Sequence, residues 1–262
     1  MKTADRVLSV LRLFTVDRPE WTVDQAMQEL GLSQSTAYEY FRSLVEAGLL
    51  VVSKTGRYVI GPAIIEFDRL TRIRDPLILN ARPVLERITI DLPAGSVGLL
   101  CRAYRLTVMC VDQFSPTPTN SPVSYERGRP MPLFRGAASK IILAHMPRRK
   151  LRRYFDQFAG EVAEAGMGDD WESFRATLRR IRAAGVCVTH GELDRGRIGI
   201  SGPVFSSDGE ILGSIGVVVE ADALANNKGL RSAIEFSVDE AGRELTQLLK
   251  EPEAAPKSVL QA

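Results

Sequence analysis

Two residue types that carry much of enzymatic and metal chemistry are scarce in this chain. It has two histidines, His145 and His190, and three cysteines, Cys101, Cys110 and Cys187, in 262 residues. The cysteine count is odd and no pair has CxxC spacing, which argues against a disulfide framework and a cysteine-based zinc site. Buried apolar thiols are the expectation. Two histidines leave little material for a metal site or a catalytic triad. A Gly-rich phosphate loop of the dinucleotide or Walker type is also missing. The segment GISGP (199–203) superficially resembles a G-x-S-x-G nucleophile elbow, but Pro203 replaces the second glycine and the run reads as a strand. Ser201 is therefore not expected to be a nucleophile, and no enzyme activity, cofactor or metal is expected. Nor does any apolar run approach the roughly 18 residues of a membrane span. The opening MKTADRVLSVLRLF lacks an apolar core and a small-residue cleavage site. No membrane partner is expected, and the expected compartment is the cytoplasm.

Charge of one sign is lacking as well: the formal net charge is +2. Residues 1–62 hold seven basic and seven acidic residues, so that part is neutral. Residues 127–155, by contrast, hold nine basic residues and no acidic one. That run is either a solvated helix face or a positive field for an anionic ligand or DNA.

What is present begins with LSQSTAYEYFRSLVEAGLLVVSKTGRYVIGP (32–62). Thr3 is placed to cap a first helix over about 4–14. Thr22 caps a second over about 23–30, with Ala26, Met27 and Leu30 inward. Gly31 stands just past it, where positive φ is needed. Ser33 caps a third helix with a buried stripe of Ala37, Phe41, Leu44 and Val45, ended by Gly48. Two short helices joined by a Gly-containing turn make a helix-turn-helix. LLVV and RYVI around Ser53–Gly56 then form a hairpin, or wing. Residues 1–62 are thus a winged helix-turn-helix domain. A connector helix follows over 63–76, with an Ile64, Ile65, Phe67, Leu70 stripe. From 77 to 250 the pattern is α+β, with helices near 77–90, 136–145, 147–158, 171–184 and 227–250. Strands are expected near 96–102, 106–112, 186–190, 197–205 and 211–219. Residues 251–262 are expected to be a disordered tail.

The polar face of the third helix carries Gln34, Ser35, Thr36, Tyr38, Glu39 and Arg42. N-terminal residues of a recognition helix meet base edges and flanking hydroxyls meet phosphates. Gln34 can read adenine, Arg42 suits guanine or phosphate, and Ser35, Thr36 and Tyr38 suit phosphate or a thymine methyl. Lys54 and Arg57 on the wing would bind phosphate or reach the minor groove. Double-stranded DNA is the implied partner. In PLFRGAASKIILAHM (132–146), the small residues Gly136, Ala137, Ala138 and Ser139 open a helix and leave its N–H groups accessible to a carboxylate. Tight packing against a sheet would use the same residues. Thr189, His190, Arg195 and Arg197 could add polar partners.

These motifs together resemble the IclR family of bacterial transcriptional regulators, over the chain to about residue 250. LSQSTAYEYFRSLVEAGLL with GRYVIGP is similar to the family's STxxRLLxxLVExGLV…YxLG. PLFRGAASKIILA is similar to its PLHxTAxGKAxLA. IRAAGVCVTHGELDRGRIGISGPVFSSDGEILGSIGV is similar to its IRxxGYAxxxGExxxGVxxIAAPVFDxxGxVxAALxV. The resemblance implies a winged helix-turn-helix, a linker helix and a GAF/PAS-like effector-binding domain. It implies a homodimer or tetramer on palindromic operator DNA. The expected effector is a small organic carboxylate from catabolism, aromatic acids included, bound by positions that here are Asn120, Ala137, Ala138, Thr189, Arg197, Gly199, Gly216 and Val218. An arginine among them would pair with the acid. Glu39 stands where the family has Arg, Gly136 where it commonly has Thr, and Ser139 where it commonly has Gly. Two other readings stand beside this one: a small-molecule hydrolase with a fused winged helix, and a protein-interaction module.

Overall fold

The structure, a computed structural model, describes residues 3–117, 123–225 and 227–250. Asn120 and the expected tail lie outside the described residues. The chain divides into two compact units, Met1–Asp75 and Pro76–Ala262.

The first unit contains α1 (Thr3–Leu11), α2 (Val23–Leu30), α3 (Gln34–Glu46), β1 (Leu50–Val52), β2 (Tyr58–Ile60) and α4 (Ala63–Arg74). The α2 start is a capping box: Thr22 accepts from Gln25 N–H, and the Gln25 side chain accepts from Thr22 N–H. Gly31 ends α2 at φ 62°, as a left-handed cap requires. Ser33 caps α3 by accepting from Thr36 N–H. The α3 stripe of Ala37, Phe41 and Leu44 also includes Tyr40, and it closes a core with Val10, Trp21, Ala26 and Leu50.

Three features depart from expectation here. The first helix begins at Thr3 and stops at Leu11, short of Phe14. Its end tightens through Leu13 N–H to Val10 O, and the Leu13 carbonyl then accepts the Trp21 indole N–H at 2.9 Å. The wing is also broader than a hairpin, because Trp21 and Tyr58 exchange both backbone hydrogen bonds across β2. Finally, Gly61 is more than a closing residue. A Cβ there would lie 2.2 Å from Gly48 O, so the chain crosses itself where only glycine fits.

The second unit is α+β. It opens with α5 (Pro76–Thr89), β3 (Val97–Tyr104), β4 (Thr107–Phe114) and β5 (Pro130–Pro132). Helices α6 (Ala137–His145), α7 (Arg148–Glu164) and α8 (Trp171–Ala184) follow. Strands β6 (Cys187–His190), β7 (Arg197–Phe205) and β8 (Ile211–Glu220), then α9 (Ala221–Ala225) and α10 (Lys228–Leu248), complete it. One antiparallel six-stranded sheet runs β5-β4-β3-β8-β7-β6. Alternate strand residues serve two cores. Leu100, Ile200, Val204, Ile215 and Val217 pack with Leu85 of α5 and Val238 and Leu245 of α10. Leu99, Cys101, Val108 and Cys110 pack with Ile142 of α6, Tyr154 of α7 and Phe174 of α8.

Strand β5 and helix α9 were not expected. Proline is tolerated in a strand only at a sheet edge, and β5, PMP in sequence, lies at one. Helix α7 runs on to Glu164, with non-helical backbone at Phe158 marking where the first helical run was expected to stop. Every residue of α6 from Ala137 to Ala144 is buried, Lys140 included. A helix buried all round is core, which is why its small N-terminal residues face packed structure and a cavity rather than solvent. The three cysteines are free and buried, as expected.

Candidate functional site

On α3 the residues facing away from the core are Gln34, Ser35, Tyr38, Glu39 and Arg42, all exposed, with Thr36 half-buried. The Ser33 hydroxyl lies 2.8 Å from Thr36 Oγ1 and 3.4 Å from Ser35 Oγ. Both hydroxyls are thus anchored at the helix N-terminus, where backbone N–H groups also favour a phosphate. Lys54 and Arg57 are exposed on the wing. Arg57 makes a loose ion pair with Glu20 at 4.0 Å, with both side chains over two-fifths exposed, so it remains available to a stronger anion. Arg18 is stacked 3.3 Å over the Trp21 ring. The expected contact residues therefore share one solvent-facing set of elements, α3 and the wing.

In the second unit, a small cavity of about 30 Å³ that opens to solvent lies between the N-terminus of α6 and strands β6, β7 and β8. Gly136, Ala137, Ala138 and Thr189 line it, and so do Arg197, Gly199 and Val218. Gly216 does not. A Cβ on Gly216 would lie 2.2 Å from Ile200 O, so glycine there permits close strand packing instead. Arg197 lines the cavity but is already engaged: its guanidinium donates to Gly95 O at 2.7 Å and pairs with Glu220 at 2.9 Å. Thr189 and Ser201, at 7% and 3% exposure, also line the cavity.

Several lining residues escaped sequence reasoning: Tyr125, Glu192, Leu193 and Asp194. Tyr125 Oη bonds Ser139 Oγ at 2.8 Å and accepts from Ser139 N–H at 3.2 Å. Burial raises its pKa well above the usual phenol value, with the nearby Cys101 reinforcing the rise, so the phenol stays protonated. Gly136 opens α6 at φ 82°, and a Cβ there would sit 2.5 Å from Tyr125 Oη and 2.6 Å from Leu193 Cδ1. The glycine at 136 and the serine at 139 therefore belong together: the phenol fills the space of a side chain at 136 and is held by the hydroxyl at 139. Asp194 accepts from Ser124 N–H at 3.0 Å and Ser124 Oγ at 2.5 Å. Glu192 accepts from Gly136 N–H at 3.0 Å and pairs with Lys140 Nζ at 2.5 Å. The only sequence signal for Glu192 was the GE of HGELDRGRIG. Behind the cavity, burial pushes the Cys187 thiol up to about 12, with Lys140 opposing the shift.

Ser201 sits within β7, not at a strand-to-helix turn, and neither histidine bonds it. His145 Nδ1 lies 2.9 Å from Ile141 O. Among the described residues, no group of three or more His, Cys, Asp or Glu is arranged to hold a metal ion, and no helix is long and apolar enough to cross a membrane.

A winged helix-turn-helix joined to a sheet domain with a small polar-lipped cavity defines a ligand-sensing, DNA-binding regulator. The chain matches the IclR helix-turn-helix domain over residues 3–53 and the Bacterial transcriptional regulator IclR C-terminal domain over 73–246. It belongs to the IclR family of transcriptional regulators. The HTH-type transcriptional regulator KipR of Bacillus subtilis is 25% identical over 218 residues, covering 82% of this chain and 85% of that protein. The Pca regulon regulatory protein of Pseudomonas putida is 23% identical over 219 residues, covering 83% and 74%. The crystal structure of an IclR homolog complexed with 4-hydroxybenzoate, from Microbacterium hydrocarbonoxydans, matches with a TM-score of 0.72 at 20% identity, over 95% of this chain and 99% of that one. Its fold is shared, GAF/PAS-like sheet domain included.

Proposed function

We propose that this regulator senses a small organic carboxylate, aromatic or of similar size, in the cavity at the N-terminus of α6, and that it controls a catabolic operon. One observation carries the reading: the Gly136 N–H at that helix end already holds a carboxylate, that of Glu192. Helix N-termini favour anions through their free N–H groups and dipole. That relatives regulate a Pca regulon and bind 4-hydroxybenzoate supports an aromatic acid. The output is operator DNA, contacted by Gln34, Ser35, Thr36, Tyr38 and Arg42 from α3 and by Lys54 and Arg57 from the wing.

Helix α4 links the two units along the chain. None of its residues is buried, and Ile65 and Phe67 are 73% and 54% exposed. An exposed apolar stripe marks an interaction surface, and a second copy of the chain is its occupant in a homodimer or tetramer. Two winged helices would then meet half-sites a helical turn, or a multiple, apart. Thermal-shift screening of carboxylates against matched neutral amides tests the effector class. Stabilisation by acids is expected, and stabilisation by non-acidic ligands alone would overturn it. Binding of an operator from the neighbouring promoter region, measured with and without the acid, tests the coupling.

A further inference from the structure

Every formal charge that lines the cavity already has a partner within the chain. Asp194 is bonded by Ser124. Arg197 faces Glu220 across the β7–β8 register and is 7% exposed at its side chain. Glu192 is bonded by Gly136 N–H and Lys140. An incoming carboxylate therefore meets no free cation unless one of these pairs opens.

The pairs differ in how easily they can open. Arg197 and Glu220 are held on neighbouring strands. Lys140 is buried in α6 and its side chain is 9% exposed, but Glu192 is 28% exposed and sits on the turn between β6 and β7. That turn is bounded by Gly191 at φ 62° and Gly196 at φ 77°. The cation is thus fixed, while its acid rests on a surface turn.

The site behind Glu192 is also only partly used. The N–H groups of Ala137 and Ala138 have no acceptor among the described residues. Thr189, 7% exposed, lines the same cavity. Its Oγ1 lies 3.2 Å from a Cβ built on Gly199, which would itself lie 3.3 Å from Ala137 Cβ. Donors stand in excess of acceptors, and one carboxylate fills the position.

We propose that Glu192 is a resident competitor for the effector's acid group. The effector carboxylate takes over Gly136 N–H and Lys140 Nζ and can add the free N–H groups of Ala137 and Ala138. The Glu192 carboxylate exchanges out to solvent on its turn. Charge at the site is conserved, since one carboxylate replaces another. Selectivity follows: a neutral analogue cannot satisfy Lys140, so it cannot displace Glu192 without leaving a buried ammonium unpaired, which is costly. Affinity is moderated, because each acid must first displace the internal one. This proposal rests on the cavity being the effector site.

Calorimetric titration of the full chain tests it, with benzoate, 4-hydroxybenzoate and pyruvate as acids and benzamide and 4-hydroxybenzamide as neutral controls. Glu192→Gln keeps the shape and an acceptor for Lys140 but removes the competing charge. A charge-assisted hydrogen bond is worth about 1.5–3 kcal/mol, so an acid should bind E192Q about tenfold or more tighter than wild type. The amides should be unchanged. Glu192→Asp, too short to reach Gly136 N–H while holding Lys140, should shift acids the same way and serves if the first variant folds poorly. Equal or weaker acid binding in the variants would overturn the exchange and leave the effector reading intact. So would an equal gain for acids and amides, which would mean that space, not charge, was released. Failure of every acid to bind wild type and variants alike would overturn both.

Discussion

At the scale of single residues, Gly136 is the most constrained position in the cavity wall. Its φ of 82° and the 2.5 Å approach of Tyr125 Oη to any Cβ exclude the threonine common in the family. Gly136→Thr should cost about 2–4 kcal/mol, from left-handed backbone in a β-branched residue and from overpacking. Tyr125→Phe removes the nearest atom, so the same substitution in that background should cost measurably less than in wild type. A denaturant double-mutant cycle reads the coupling, and additivity would place the clash elsewhere. His145 offers a second residue-level outcome. Burial lowers its pKa from the ordinary imidazole value, the nearby Arg182 adds to this, and the bond to Ile141 O opposes it. The folded chain therefore favours neutral imidazole, whereas the unfolded chain takes up a proton as pH falls through about 6.5. Its stabilisation is present above that pH and is lost below it. Between pH 6.5 and 5.5, where most carboxylates are still ionised, the thermal midpoint of wild type should fall more than that of His145→Gln.

At the scale of elements, legibility tracked local chemistry. The α2 and α3 caps were readable because Thr22, Ser33 and Gly31 act on backbone groups within a few residues of themselves. The α8 and β7 boundaries were readable because periodicity and punctuation agreed. What could not be read depends on distant partners. Tyr40 is buried because α3 is covered on a wider arc than its Ala37, Phe41, Leu44 stripe shows. Strand β5 exists only because β4 offers it an edge. In the cavity, Ala137, Ala138, Thr189 and Gly199 come together. Glu192 and Tyr125 did not stand out, since an acid on a loop and a lone tyrosine give no periodic signal. The Gly61 crossing is of the same kind and makes a sharp prediction. Its Cβ position lies 2.2 Å from Gly48 O and 2.9 Å from Leu49 C, and backbone cannot step aside as a side chain can. Gly61→Ala should destabilise the winged-helix unit by about 3 kcal/mol or more, a size reserved for named steric failures. Thr22→Ala, a cap removal, should cost about 1 kcal/mol. Chemical denaturation monitored at Trp21 would rank the two, and equal losses would contradict the crossing.

At the scale of the whole molecule, charge distribution decides how operator binding responds to salt. Residues 1–62 are neutral, with seven charges of each sign, so the winged helix has no general field to draw it to DNA. On the proposed contact set, attraction comes from its few basic residues, Arg42, Lys54 and Arg57, all exposed. In a dimer that makes six phosphate-directed cations, and counterion release then gives a slope of log affinity against log salt of about −5. Affinity would fall about a thousandfold between roughly 50 and 200 mM salt. Helix α7 carries Arg148, Arg149, Lys150 and Arg153 near its start, and if these also touched DNA the slope would pass about −10. Fluorescence anisotropy of an operator duplex over a salt series separates the two cases. A shallow slope assigns the α7 cluster another role, and a steep one makes it part of the DNA surface. Glu39 sharpens the test. It is exposed on α3 beside the proposed phosphate contacts, where it repels rather than attracts. Glu39→Arg should tighten binding to any duplex and steepen the slope by about 2, one added phosphate contact per protomer. Arg42→Ala should weaken binding and flatten the slope by the same amount. If neither substitution moves the slope, α3 does not face the DNA backbone and the winged helix presents another surface to its operator.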